Sequence, residues 1–269
     1  MTSPIQTFKE NIRPAKLLLQ VYSLLDTNDN IVSDGDLVEI LRGVVQANTE
    51  EELLLVYNEI FLGLVRQGAE IPRASLRRGT LAHLLRQAVV AACTGLDTYL
   101  PALLRADLPI VITAQGRGFV SSEDETVNEY LSNLTFSLDE VLRLNEDPNS
   151  AEYIANKILN LTNFSYLSTH KGIHVTARFL GIEKPWEMIS KQLNRDRKEL
   201  MTIVNETVKR RNDIVHRADH DQNDPQGEQQ EITFAWAKQS VDTIENICLA
   251  LDEIVGKRMK ELQAIINAR

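Results

Sequence analysis

Arg211, Asn212 and His216 fall close together in the stretch Lys209-Arg210-Arg211-Asn212-Asp213-Ile214-Val215-His216-Arg217. Their types suit proton transfer beside an oxyanion. Histidine changes protonation near neutral pH and can serve as acid or base. Arginine stays charged and offers a planar fork to phosphate or carboxylate oxygens. An amide such as Asn212 can orient an imidazole or hold a phosphate oxygen.

The surrounding pattern is helical. Leu200, Ile203, Val204, Val208, Ile214 and Val215 recur at three-to-four-residue spacing and define an apolar face. Arg211 falls near its middle, while Asn212 and His216 share its edge, about 40° apart on an ideal helix. A guanidinium taken out of water without a partner is costly. Arg211 is therefore expected to pair with an acid, line a cleft or border a second subunit. Arg211 and His216 project about 140° apart, so either the helix loosens before His216 or the arginine reaches round.

The spacing Arg211-Asn212-x3-His216 resembles the Arg-x4-6-His motif of HEPN domains, and is similar to the RiboL-PSP-associated group. These are all-helical domains that include many metal-independent ribonucleases. Two further features carry the resemblance: the motif closes a long amphipathic helix before a polar loop and a last helix, and His83 to Leu100 looks like the opening helix of the group. It covers roughly Ala74 to Ile254. It implies an endoribonuclease with Arg211 and His216 as catalytic residues, Asn212 and Asp97 in support, and Lys209, Arg210 and Arg217 on the RNA. No metal or other cofactor is expected. Such domains pair about a two-fold axis, which would bring two Arg-His sets into one cleft and place Arg211 beside a homodimer interface. The implied setting is a toxin or antiphage effector, with an antitoxin or regulatory protein as a possible partner.

The chemistry is self-consistent. RNA carries its own nucleophile, so a base that removes the 2′-hydroxyl proton, an acid for the leaving 5′-oxygen and a cation for the phosphorane suffice. The alternative is an inactive helical scaffold in which Asp97 neutralises Arg211 purely for structure. A subtype whose toxin is modified on a Tyr just after the His fits less well, because Arg217-Ala218-Asp219 follows His216.

The chain has 269 residues, 43% hydrophobic and 25% charged, enough for a substantial core. Cys93 and Cys248 form neither a metal-type pair nor a disulfide framework, which suits a reducing cytoplasm. No leader or membrane span is expected. A net charge of −9 argues against a nucleic-acid partner overall, yet Lys191–Arg217 holds eight Lys/Arg against four Asp/Glu, and Arg66–Arg86 five Arg against one Glu. Together these segments could form a basic groove.

The expected fold is all-α, an up-and-down helical bundle, with residues 1–72 as an N-terminal helical extension and 73–269 as the core domain. Ile5–Leu25 reads as a helix with Ile12, Leu18, Val21 and Leu25 inward. Ser33 caps a helix to Gln46, and Thr49-x-x-Glu52 opens one to Val65. Ala74–Leu104 is the first core helix, with a loop through Pro109 and Gly116–Gly118. Ser122 opens a helix that ends before Asp147, and Ser150–Thr162 another. Lys184–Val215 carries the motif, Asp219–Glu231 is a loop, and Ile232–Asn267 is the last helix. Asp26, Asn28, Asn30 and Asp34 miss the calcium-loop pattern at Ile31 and Leu37. His170 and His174 could share a face as paired metal ligands, but with Gly172 between them, no Glu where a zinc hydrolase keeps its base and no Cys ligand they read as polar or structural histidines.

Overall fold

The computed structural model describes residues 2–26, 31–32, 35–47, 53–57, 62–66, 78–119, 125–147, 149–161, 167–221 and 223–269. In chain order its elements are α1 (Pro4–Leu25), β1 (Ile31–Val32), α2 (Asp36–Val44), β2 (Leu53–Tyr57), β3 (Leu62–Arg66), α3 (Arg78–Gln115) and a 3-10 turn (Gly116–Phe119). There follow α4 (Glu125–Ser132), α5 (Leu138–Glu146), α6 (Ser150–Leu159), α7 (His170–Phe179), α8 (Pro185–Leu193), α9 (Arg197–Arg217), β4 (His220–Asp221), β5 (Asp224–Gln229) and α10 (Phe234–Asn267). The chain is mostly helical. Among the described residues two small antiparallel sheets accompany the helices, β1-β2-β3 and β4-β5.

The long helix α3 is the axis of the main core. Leu85, Val89, Leu96, Leu100, Leu104 and Leu108 are buried along it, each contributing roughly 1.5–3 kcal/mol. Helices α1, α10, α6, α9 and α7 surround it. The first helix turns Phe8, Ile12, Ala15, Leu19 and Tyr22 inward, a face rotated from the expected one, with Leu18 and Leu25 only partly covered. Gly95 allows this close approach, since a Cβ there would lie 3.3 Å from the Phe8 ring. By length and hydropathy α3 is, among the described residues, one helix that could cross a membrane. Here its apolar side chains are used in the core.

The proline-based expectation for α3 was too short. Pro101 and Pro109 both lie inside it, and it runs on to Gln115 before the 3-10 turn at Gly116–Phe119. Each interior proline costs about 3 kcal/mol. Burial of Leu103, Leu104, Leu108 and Val111 around the two prolines offsets that cost.

Residues 53–57 and 62–66 are paired antiparallel strands rather than a helix, with Leu53 opposite Arg66 and Tyr57 opposite Leu62. Short apolar runs do not distinguish strand from buried helix by periodicity. Two five-residue runs separated by four residues fit strands better. Thr49, Glu52, Ser33 and the Asn/Asp positions 28, 30 and 34 lie outside the described residues. Val38, Leu53 and Leu55 form a second, small core, whereas α1 belongs to the main one.

Three other expected elements are subdivided. Residues 125–146 form two helices because Ser137 and Glu140 make a capping box at the start of α5. The motif helix starts only at Arg197, since Asn194 closes α8 in the left-handed region and Asp196 caps α9. The loop after Arg217 is largely the β4-β5 hairpin.

Acids are also caught between α3 and α10. Tyr99 Oη donates to Cys248 O and to Asp252 Oδ1, both at 3.3 Å. Burial, reinforced by the neighbouring Asp252 carboxylate, pushes the Asp107 carboxyl from 3.8 up to about 6. Burial raises Asp252 as well. A carboxyl raised in the folded state is penalised once ionised, so its contribution worsens as pH climbs from the unfolded value of 3.8 through about 6. Asp107→Asn should therefore stabilise the protein by about 1–2 kcal/mol at pH 7.5, allowing for solvent screening, and have no effect near pH 4. Urea unfolding at the two pH values measures this.

Candidate functional site

Helix α9 buries Leu200, Val204, Thr207, Val208 and Ile214, and Thr207 Oγ1 donates to Ser240 Oγ of α10 at 3.0 Å. Arg211 continues this buried stripe and points at α3. Its Nη2 donates to Asp97 Oδ2 at 2.7 Å, with the two side chains 22% and 36% exposed. The acid near the motif thus pairs directly with Arg211. One turn earlier on α3 lies Cys93, fully buried. Burial pushes its thiol up to about 12, with the neighbouring Arg211 opposing. Such a thiol is protonated at neutral pH and is no nucleophile. Burial also raises Asp97, again against Arg211.

His216 lies elsewhere. The helix runs unbroken to Arg217, so the projected angle of about 140° between Arg211 and His216 persists. His216 and Asn212 share one exposed face, and Val215, 52% exposed, flanks Asn212 on the side towards Arg211. Val215 therefore leaves the apolar face assigned to it. Lys209 is exposed, and Arg217 Nη1 donates to Asp213 Oδ1 at 2.8 Å. Within one chain the fold brings Arg211 to Asp97 and Asn212 to His216, but it separates Arg211 from His216.

Arg210, expected on the RNA side, is engaged inside. Its Nη2 donates to Asp219 Oδ2 at 2.9 Å, and to the carbonyls of Gln230 and Glu231 at 3.0 Å each. Its Nε lies 2.6 Å from Asp219 Oδ1, at an angle too poor for a hydrogen bond. From the other side Arg86 Nε donates to Asp219 Oδ2 at 2.6 Å, and Arg86 Nη2 to Gln230 O at 2.8 Å. Asp219 is fully buried. Its own backbone closes the end of α9, its N–H donating to Asp213 O at 3.0 Å and its carbonyl accepting from Gln230 N at 2.9 Å. Ala218 and Asp219 both take positive φ, 49° and 69°.

Sequence reasoning missed this clamp because Asp219 reads as an ordinary acid after a helix end. A hint existed in the non-glycine residues at the point where the helix must stop, since Asp tolerates the left-handed region better than most. The clamp also alters the expected basic groove: Arg86 is buried in an ion pair, while the side chains of Arg66, Arg73, Arg77 and Arg78 lie outside the described part of the chain. His170 Nδ1 lies 2.8 Å from Asn205 Oδ1, and the His170 carbonyl accepts from Trp186 Nε1 at 3.0 Å, a contact joining α7, α8 and α9. Among the described residues no group of three His, Cys, Asp or Glu side chains is placed to hold a metal.

No family model matches the chain, and no curated protein or solved structure matches it either.

The two ion-pair systems should respond differently to mutation. Asp219→Ala leaves two guanidinium groups buried without their counter-charge and should cost about 3–5 kcal/mol. Asp97→Asn removes a partly exposed pair whose acid is already penalised by burial, and should cost less than about 1 kcal/mol. Denaturant unfolding of both variants against wild type tests the contrast.

Proposed function

We propose that the chain is a metal-independent endoribonuclease of the HEPN-like type, acting as a homodimer in which Arg211 and His216 of two copies meet at one scissile phosphate. The observation that supports this reading best is the end of α9: His216 and Asn212 are exposed on one face with no side-chain hydrogen bond among the described residues, and the exposed Val215 flanks Asn212 on the side towards Arg211. An apolar side chain beside a histidine and an amide suits a surface that a second copy would cover.

Because Arg211 and His216 project about 140° apart on one helix, the reading brings them to one phosphate through the dimer. In the dimer one imidazole takes the 2′-hydroxyl proton and the other protonates the leaving 5′-oxygen. Arg211, drawn off Asp97, meets the negative phosphorane. Asn212, about 40° from His216 on the helix, orients the ring or holds a phosphate oxygen. A toxin or antiphage role follows from the resemblance.

The second reading is a helical binding or regulatory scaffold. It draws on the Arg211–Asp97 pair itself, which neutralises the motif arginine within the chain.

The deciding experiment incubates purified protein with mixed RNA in excess chelator. Wild type should run as a dimer in light scattering and leave 2′,3′-cyclic phosphate ends. Arg211→Ala and His216→Ala should each lose about 10²–10⁴-fold in rate while remaining folded. Cleavage that survives both substitutions eliminates this site, and a monomer without activity leaves the scaffold reading.

A further inference from the structure

Helix α5 is attached to the body by its polar side. On an ideal helix Val141, Leu138 and Leu142 project within an arc of about 100°, and Glu140 lies about 150° from the middle of that arc. The Glu140 side faces α6: Glu140 Oε1 accepts from Tyr153 Oη and from Lys157 Nζ, both at 2.5 Å. Lys157 Nζ also lies 4.5 Å from the centre of the Phe136 ring, and the Ser137–Glu140 capping box fixes where the helix starts. The apolar stripe is thereby turned to solvent. Leu138, Val141 and Leu142 are 75%, 50% and 59% exposed, and no residue of α5 is buried. A single exposed leucine needs no explanation, but three apolar side chains on one stripe of a helix anchored by its other side form an unused packing surface.

Charge decides what covers it. From Glu123 to Lys157 the sequence carries nine Asp/Glu against Arg143 and Lys157, a balance of −7 in a chain whose total is −9. Both bases are engaged within the stretch, Lys157 on Glu140 and Arg143 on Asp139 at 3.1 Å. Glu146 and Asp139 flank the stripe on one side, about 80° and 100° round from Leu138. Glu146, Asp147 and Glu152 are exposed, with Asp147 Oδ1 also accepting from Asn149 N at 2.8 Å.

Such a border repels nucleic acid and anionic lipid. It also disfavours a second copy, because a two-fold pairing of α5 on α5 would set acid against acid. A cationic helix is the complement: its apolar face packs along the stripe, and its lysines or arginines meet the carboxylates beside it, competing with Arg143 for Asp139. We propose that α5 docks a basic amphipathic helix of a partner protein, laid along Leu138, Val141 and Leu142 with its cations against Glu146 and Asp139. This surface involves neither Arg211 nor His216 and does not depend on the nuclease reading.

The test is fluorescence anisotropy of a labelled Leu/Lys peptide of about 18 residues, its leucines all on one helical face, titrated with the full chain. Wild type should bind it with Kd on the order of 10 μM. A peptide of the same composition with its leucines scattered round the helix, and one with every Lys replaced by Glu, should each bind at least about tenfold more weakly. Val141→Asp with Leu142→Asp is the deciding variant, since it adds negative charge while removing the apolar contact. Its affinity should fall about tenfold or more, whereas Leu17→Asp, at an exposed position on α1, should bind as wild type. All three substituted side chains are exposed, so the fold should persist, and circular dichroism checks it. The proposal is overturned if the Leu/Lys peptide does not bind, if the scattered peptide binds equally well, or if the double variant binds normally. A wild-type dimer that the double variant converts to monomer in sedimentation would assign the stripe to a second copy and overturn it too.

Discussion

The carboxylate of Asp219, out of water between Arg86 and Arg210, fixes the geometry of the motif end of the molecule. Three pieces of chain meet on it: α3 through Arg86, α9 through Arg210, and the start of the β4-β5 hairpin through Asp219 itself. Such a cluster contributes little net stability, because desolvating three charges costs about as much as their attraction returns. Its effect is on position. Two consecutive non-glycine residues in the left-handed region would drift to easier conformations in a free chain, and the clamp holds them where α9 must end. That endpoint sets where Asn212 and His216 project.

Next to this fixed point lies a much softer interaction. Arg211 and Asp97 bridge the same two helices, α9 and α3, but both remain partly exposed, and burial already raises the Asp97 carboxyl. One arginine of the Arg210-Arg211 pair is therefore committed to structure and its neighbour is held by a partner that solvent or a ligand can displace. A helix advances about 100° per residue, which is enough to send adjacent arginines into a dry seam and a wet one. The division of labour comes from periodicity and not from residue type.

The same reasoning explains what the sequence could reveal. Long amphipathic stretches such as 5–25, 200–215 and 232–267 are legible because many weak positional preferences agree, and burying one face dominates their energy. The pairing of Arg211 with an acid was legible too, since a charge on an apolar stripe demands a partner and Asp97 lies at a matching position on another helix. Elements decided by one or two residues were harder. Asn194 and Asp196 split a helix that reads as continuous, and Pro109 fails to end one because the core around it outweighs the lost hydrogen bond. Asp219 was the least legible of all, since its partner Arg86 is distant in sequence and only the folded chain brings them together.

Charge placement sets the terms on which any anion reaches α9. The segment around the motif is basic by count, yet Arg210 is held by Asp219, Arg211 by Asp97 and Arg217 by Asp213. The net potential is therefore much weaker than the residue count implies, on a chain that carries −9 overall. A phosphate arriving there must compete with carboxylates already in place. It can do so at Asp97 and at the Arg217 pair, which are partly solvated, but not at Asp219, where separating the charges would strand them in the core. Under the nuclease proposal, local charge competition would favour recognition at Arg211 and Lys209 over a broad electrostatic track, with the partly exposed Asp97 pair as the one a phosphate would have to displace.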